Sequence, residues 1–198
     1  MFTKTVRRIL AWFLFITTLV TVLGIADSGG IWSGSANSQL LDQAWGQAGS
    51  IAYVAAARTM QSRNGASQSL DAFQKRYLRR YFPQLIDKVE IIYQSQMMER
   101  WVFGNMAISF SKVRSVAQTY CHRIYLKDPY QPENRQQVAL LAHEMVHTRQ
   151  CEQFGGLAEF GYRYFMAYRQ ANQVYAKNVL EIEAYDLQRR MSRVLADS

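Results

Sequence analysis

The sequence predicts an α+β fold, a single mainly helical domain with a small β-sheet packed near its central helix. Helical periodicity fills both ends of the chain, β-forming residues crowd positions 87 to 127, and no segment repeats another. At 198 residues the chain is long enough to bury one proper core. With 49% hydrophobic residues, three Pro and eleven Gly, its composition excludes a disordered polymer.

The N-terminus, "MFTKTVRRILAWFLFITTLVTVLGIADS", begins with Lys4, Arg7 and Arg8. An apolar run from Ile9 to Ile25 follows, and Gly24-Ile25-Ala26 places small residues where a signal peptidase reads. Residues 1–26 therefore read as a hydrophobic signal helix cleaved after Ala26, or as a retained membrane anchor with its basic end in the cytoplasm. Either predicts export: a periplasmic, extracellular or membrane-anchored protein facing outward. Residues 27–38, rich in Gly and Ser, read as a linker, which leaves 39–198 as the domain.

Within the domain, residues 36–60 show helical periodicity and much alanine. Asn64-Gly65 marks a turn. Ser69 is placed to cap a basic amphipathic helix from Leu70 to about Tyr81, and Pro83 ends it. "DKVEIIYQSQ", "NMAISFSK" and "AQTYCHRIYLK" read as three strands. A strong helix from Gln136 to about Gln153 stops at Gly155-Gly156. Two more helices follow, near 157–172 and 177–195. Of these, the tyrosine-rich first is expected to pack against the 136–153 helix with its hydroxyls at the rim.

The formal charge of +8 comes from scattered Lys and Arg, with short clusters at Lys75-Arg76/Arg79-Arg80 and Arg189-Arg190/Arg193. No nucleic-acid module accompanies them, so no nucleic-acid partner is expected. Export would place Cys121 and Cys151 in an oxidising compartment, where they either pair or remain as two buried thiols.

Chemistry concentrates in "LLAHEMVHTRQ", which holds two of the three histidines of the chain. His143 and His147 are four apart on a predicted helix, about 40° from each other, so both project from one face. Two imidazoles so placed can bind one metal ion, while Glu144, rotated off the pair, can reach a water on it. The surrounding "VALLAHEMVH" is nearly all apolar, and a buried polar triplet there needs a partner. A third ligand can come from "NVLEIEAYDLQ". Glu181 and Glu183 lie two apart, about 200° around a helix, so only one of them can face a given site.

Together these segments resemble the gluzincin class of zinc metallopeptidases, with two His from HExxH and a Glu from a later helix in an ExxA-type motif. The chain is most similar to a family of bacterial HExxH domains with HE(L/M)xHxxQ, aromatic helices and then ExEAY. Some of these accompany contractile injection systems. "LRRYFPQLIDKVEIIY" and "FGNMAISF" are also similar, so the resemblance spans roughly residues 70–190. It implies a Zn2+ ion on His143, His147 and Glu181, with Glu183 as second choice, and Glu144 as general base. It further implies hydrolysis of a peptide or protein substrate. Where many gluzincins carry an Asp one residue after the Ala, this chain has Tyr185, with Asp186 next; either is a candidate to support the ligands. Tyr185, Tyr162, Tyr164, Arg149 and His122 are candidates to stabilise the transition state.

Two other functions compete. One is a non-catalytic, zinc-stabilised binding module of the envelope or of an injection system. The other is a membrane-surface protein using the basic helix Leu70–Tyr81, which requires that its apolar face be free. Membrane association through the N-terminal segment is compatible with each.

Overall fold

A computed structural model describes residues 35–98, 100–103, 106–109 and 115–197. The signal or anchor segment 1–26 lies outside the described residues, as does the linker up to residue 34. Among the described residues no helix is long and apolar enough to cross a membrane.

Helix α1 (Ser35–Arg63) opens the described chain. It begins inside the expected linker, because Gly34 is the last helix breaker before Gly46 and helical residues run back to Ser35. Helix α2 (Ala72–Leu78) is shorter than its pattern suggested. Its cap is Asp71, not Ser69. Asp71 Oδ1 accepts from Gln74 N at 2.8 Å and Gln74 Oε1 accepts from Asp71 N at 3.1 Å, a reciprocal box that fixes the first turn. Ser69 falls in an extended stretch because Gln68, just before it, bridges to Ile91.

Strand β1 (Glu90–Ile92) runs parallel to β5 (Arg123–Leu126), which pairs antiparallel with β4 (Ala117–Tyr120), in the order β1-β5-β4. A separate ribbon joins β2 (Arg100–Phe103), not foreseen in the sequence, to β3 (Met106–Ser109). The stretch 117–127 is thus a hairpin and not one strand: Tyr120 pairs with Arg123, leaving Cys121 and His122 as the turn. Alternating hydrophobicity does not reveal a two-residue turn that lacks the usual Asn-Gly signal. Here Cys121 takes a φ of 53°, and its carbonyl accepts from Thr148 Oγ1 at 2.7 Å.

Helix α3 (Arg135–Phe154) starts at Asn134, whose side chain accepts from Gln137 N, and ends at Gly155 in the left-handed conformation that only glycine adopts freely. Helix α4 (Leu157–Gln170), a 3-10 turn (Tyr175–Lys177) and helix α5 (Val179–Ala196) complete the chain. The main core gathers Leu78, Ile86, Ile91, Ile124, Leu141 and Met191 from α2, the following turns, the sheet, α3 and α5. A second cluster joins Ala52, Ala56 and Met60 of α1 to Ile92, Tyr120 and Tyr125 of the sheet. Each large side chain so buried contributes about 1.5–3 kcal/mol before entropy is counted.

One packing outcome removes the requirement of the membrane-surface reading, and a second differs from expectation. Leu70 and Leu78 are buried and Phe73, Tyr77 and Tyr81 pack against the core, so the basic helix has no free apolar face. The tyrosine-rich α4 lies chiefly against α1, while α5 covers α3. The reason is small residues. A Cβ on Gly161 of α4 would stand 2.6 Å from Tyr53 Cβ and 2.9 Å from Gly49 O, so these two backbones approach as only glycines permit.

Candidate metal centre

Helix α3 carries His143 and His147 on one face, and α5 crosses that face at its N-terminal end. Asn178 caps α5 by accepting from Leu180 N at 3.1 Å, and its Nδ2 donates to Tyr164 O at 3.3 Å. Glu181 then falls in the first turn, where the helix dipole favours a carboxylate. His143 (4% exposed), Glu144 (6%), His147 (6%) and Glu181 (2%) are all buried.

The donor atoms converge. His143 Nε2 is 3.2 Å from His147 Nε2, and the two nitrogens lie 3.3 and 3.4 Å from Glu181 Oε2 and Oε1. A tetrahedral ion with bonds of about 2.0–2.1 Å has ligand–ligand edges of about 3.3–3.4 Å, so the nitrogen pair and the approach of one Glu181 oxygen to each ring are on the scale of such edges. Glu181 Oε2, 3.3 Å from His143 Nε2, is buried without a well-formed hydrogen bond. Among the described residues this is the one group of three or more His, Cys, Asp or Glu side chains able to hold a metal ion.

Electrostatics point the same way. Burial opposes charge on Glu181, but His147 and hydrogen bonds from His143, His147 and Tyr164 hold its carboxyl well below the usual carboxylate range. Burial likewise opposes charge on His147, yet Glu181, with Glu144 and Gln150, moves its imidazole up to about 9. The pocket favours positive charge between the imidazoles and the carboxylate, which a proton or a metal ion can supply.

Glu144 points away from the histidine pair toward β4. Its Oε2 accepts from Thr119 Oγ1 at 2.6 Å. Tyrosines stand around Glu181: Tyr164 OH donates to Oε1 at 2.6 Å, and Tyr175 is near enough to feel the charge of the same carboxylate. Burial and the charge of Glu181 push both hydroxyls well above their ordinary pKa, so they remain donors. The Tyr185 ring meets His143 edge-on at 4.6 Å, half open to solvent. Tyr53 of α1 donates to Thr119 O and packs on Phe160, itself 6.0 Å from the His147 ring.

Other sequence candidates lie elsewhere. His122 occupies the hairpin turn and pairs with Glu152 at 2.9 Å on the surface, because the turn directs its ring away from the centre. Asp186 pairs with Arg189 and Arg190 along the outer face of α5. Tyr162 packs at the α1 crossing beside Gly46. Arg149 lies over Phe82 and binds Glu183 at 2.8 Å. Glu183 itself is not a donor to the centre; it meets Gln150 Nε2 at 2.8 Å. Cys121 and Cys151 are joined by a disulfide with Cα atoms 5.4 Å apart.

Sequence reasoning passed over Thr119, Tyr53 and Tyr175. Gln150 entered it only as the last residue of the HE(L/M)xHxxQ resemblance, without a role, three residues after His147 and so on its face of the helix.

A family model described as eCIS core domain, a domain associated with extracellular contractile injection systems, matches residues 95–155. That is less than half of the 198-residue chain; it includes Thr119, both cysteines, His143, Glu144, His147 and Gln150 but stops short of Glu181. No curated protein and no solved structure matches.

Proposed function

We propose that the chain is an exported component associated with a contractile injection system, and that it holds a Zn2+ ion on His143, His147 and Glu181 to hydrolyse a peptide bond in a peptide or protein substrate. The similarity over residues 95–155 supports the association. The chemistry rests on one observation: His143, His147 and Glu181 bring their donor atoms together in one buried group, on the helix whose Glu144 follows His143 and is held by Thr119.

Zinc, when bound, supplies Lewis-acid activation of water and of the scissile carbonyl. Glu144 takes the proton of the attacking water and returns it to the leaving amine. Thr119 occupies one oxygen of Glu144 and leaves the other for that transfer. Tyr164 holds Glu181 as an ionised ligand through its hydroxyl. Tyr185, against the His143 ring and reaching solvent, is the tyrosine placed to donate to a developing oxyanion.

A second function is favoured by the near-complete burial of the centre and by the family similarity, which carries no hydrolysis with it: zinc that only stabilises a binding module. Glu144→Gln separates the two. In the peptidase, the variant keeps one equivalent of zinc and loses cleavage of an unfolded protein by at least about 100-fold, the scale of a lost general base. In the binding module, wild type and variant are alike in every assay. Co-sedimentation with contractile particles from the encoding strain tests the association.

A further inference from the structure

We infer that Gln150 is the positioning residue of this centre: it holds His147 with Nε2 turned to the ion and ties that ligand to the helix bearing Glu181. This rests on the zinc site proposed above and extends it to a residue with no metal contact of its own.

The argument is one of donors and acceptors. Gln150 has three polar neighbours: His147 Nδ1 at 2.9 Å from Oε1, and Leu180 O at 3.1 Å and Glu183 Oε2 at 2.8 Å from Nε2. A carbonyl and a carboxylate only accept, so the amide NH2 must face them and the amide oxygen must face the imidazole. An oxygen there demands a proton on Nδ1. Neutral His147 therefore carries its lone pair on Nε2, the atom 3.2 Å from His143 Nε2 and 3.4 Å from Glu181 Oε1. Gln150 is 1% exposed, so water does not compete for these bonds.

The same amide spans two helices. Leu180, whose carbonyl it holds, directly precedes Glu181, so one side chain sets both the tilt of a ring ligand and the height of the carboxylate ligand. Glu183 completes the chain by binding Gln150 with one oxygen and Arg149 with the other. The two late glutamates thus divide the work: Glu181 meets the rings directly and Glu183 meets them through Gln150. His143 has no such holder, since its Nδ1 is buried without a hydrogen-bond partner. Orientation of the pair then depends on His147.

The test is zinc affinity of the full chain, measured by competition with a chromophoric chelator, beside circular dichroism and thiol titration to verify folding. Gln150→Ala should weaken zinc binding by about 10- to 100-fold, the scale of a lost orienting partner. Gln150→Glu with Glu183→Gln keeps an acceptor at Nδ1–H and lets the new amide donate to the new carboxylate, while giving up the bond to Leu180 O. That double variant should bind zinc measurably more tightly than Gln150→Ala, which a merely structural role for Gln150 would not require. If Gln150→Ala does not fold, Glu183→Ala, on the surface, should still give a smaller loss. Wild-type affinity in folded Gln150→Ala, or no recovery in the double variant, overturns the inference and leaves the zinc site standing. Failure of the wild type to bind zinc overturns both.

Discussion

At the scale of single residues, the centre divides into groups that bear the chemistry and groups that hold them still. His143, Glu144 and His147 were legible from spacing alone, because a helix fixes which side chains share a face. Thr119 was not, since nothing in "AQTY" marks a threonine for a carboxylate 25 residues on. Thr119→Val keeps the shape and removes the donor. The buried Glu144 carboxylate then loses a charge-assisted bond, at a cost of about 1.5–3 kcal/mol in urea unfolding. Zinc affinity should stay unchanged while kcat falls. The pH behaviour follows from Glu181 and His147. In chelated protein, the low carboxyl of Glu181 stabilises above its ordinary value of about 4.5 and is lost as pH falls. The raised imidazole of His147 stabilises fully below about 6.5 and is lost as pH rises through about 9. The metal-free protein should therefore be most stable between those lower values and weaken toward pH 9, as urea midpoints will show. Zinc displaces the His147 proton, so its affinity should rise over the same upward range.

At the scale of elements, local pattern predicted α3, α4 and α5 within a few residues, because caps and glycine stops are written into them. It failed at the hairpin. The Cys121–His122 turn is held by what it touches: Thr148 at the Cys121 carbonyl and the bond to Cys151 on α3. That disulfide pins β4, and with it Thr119, to the helix of the histidines. A 30-residue separation places its removal at about 3 kcal/mol or somewhat more in the chain-entropy account. Cys121→Ala with Cys151→Ala should lower the urea midpoint accordingly and reduce activity more than zinc content. A variant as stable as the wild type would show that packing alone holds the turn.

For the whole molecule, the candidate centre lies where α3 and α5 meet, so an ion held there would be coupled to folding. An ion that binds only the folded chain stabilises it by about 2.7 kcal/mol at 100 times its Kd. For a domain of this size that is a rise in Tm of roughly 5–10 °C. Zinc should produce this shift, a chelator should reverse it, and Glu181→Ala should abolish it in scanning calorimetry. The sequence by itself determined the α+β class, the bounds of α3, α4 and α5 within a few residues and the helix face shared by His143 and His147, while the choice of Glu181 over Glu183 came from the ExxA resemblance. Only the tertiary structure decided which groups orient those ligands, where His122 goes, that α4 leans on α1, and that Glu183 acts through Gln150. The division is physical. Helical periodicity and capping are set by residues within one turn, whereas Thr119, Gln150 and Tyr164 take their roles from partners that come near only when separate elements close on one another.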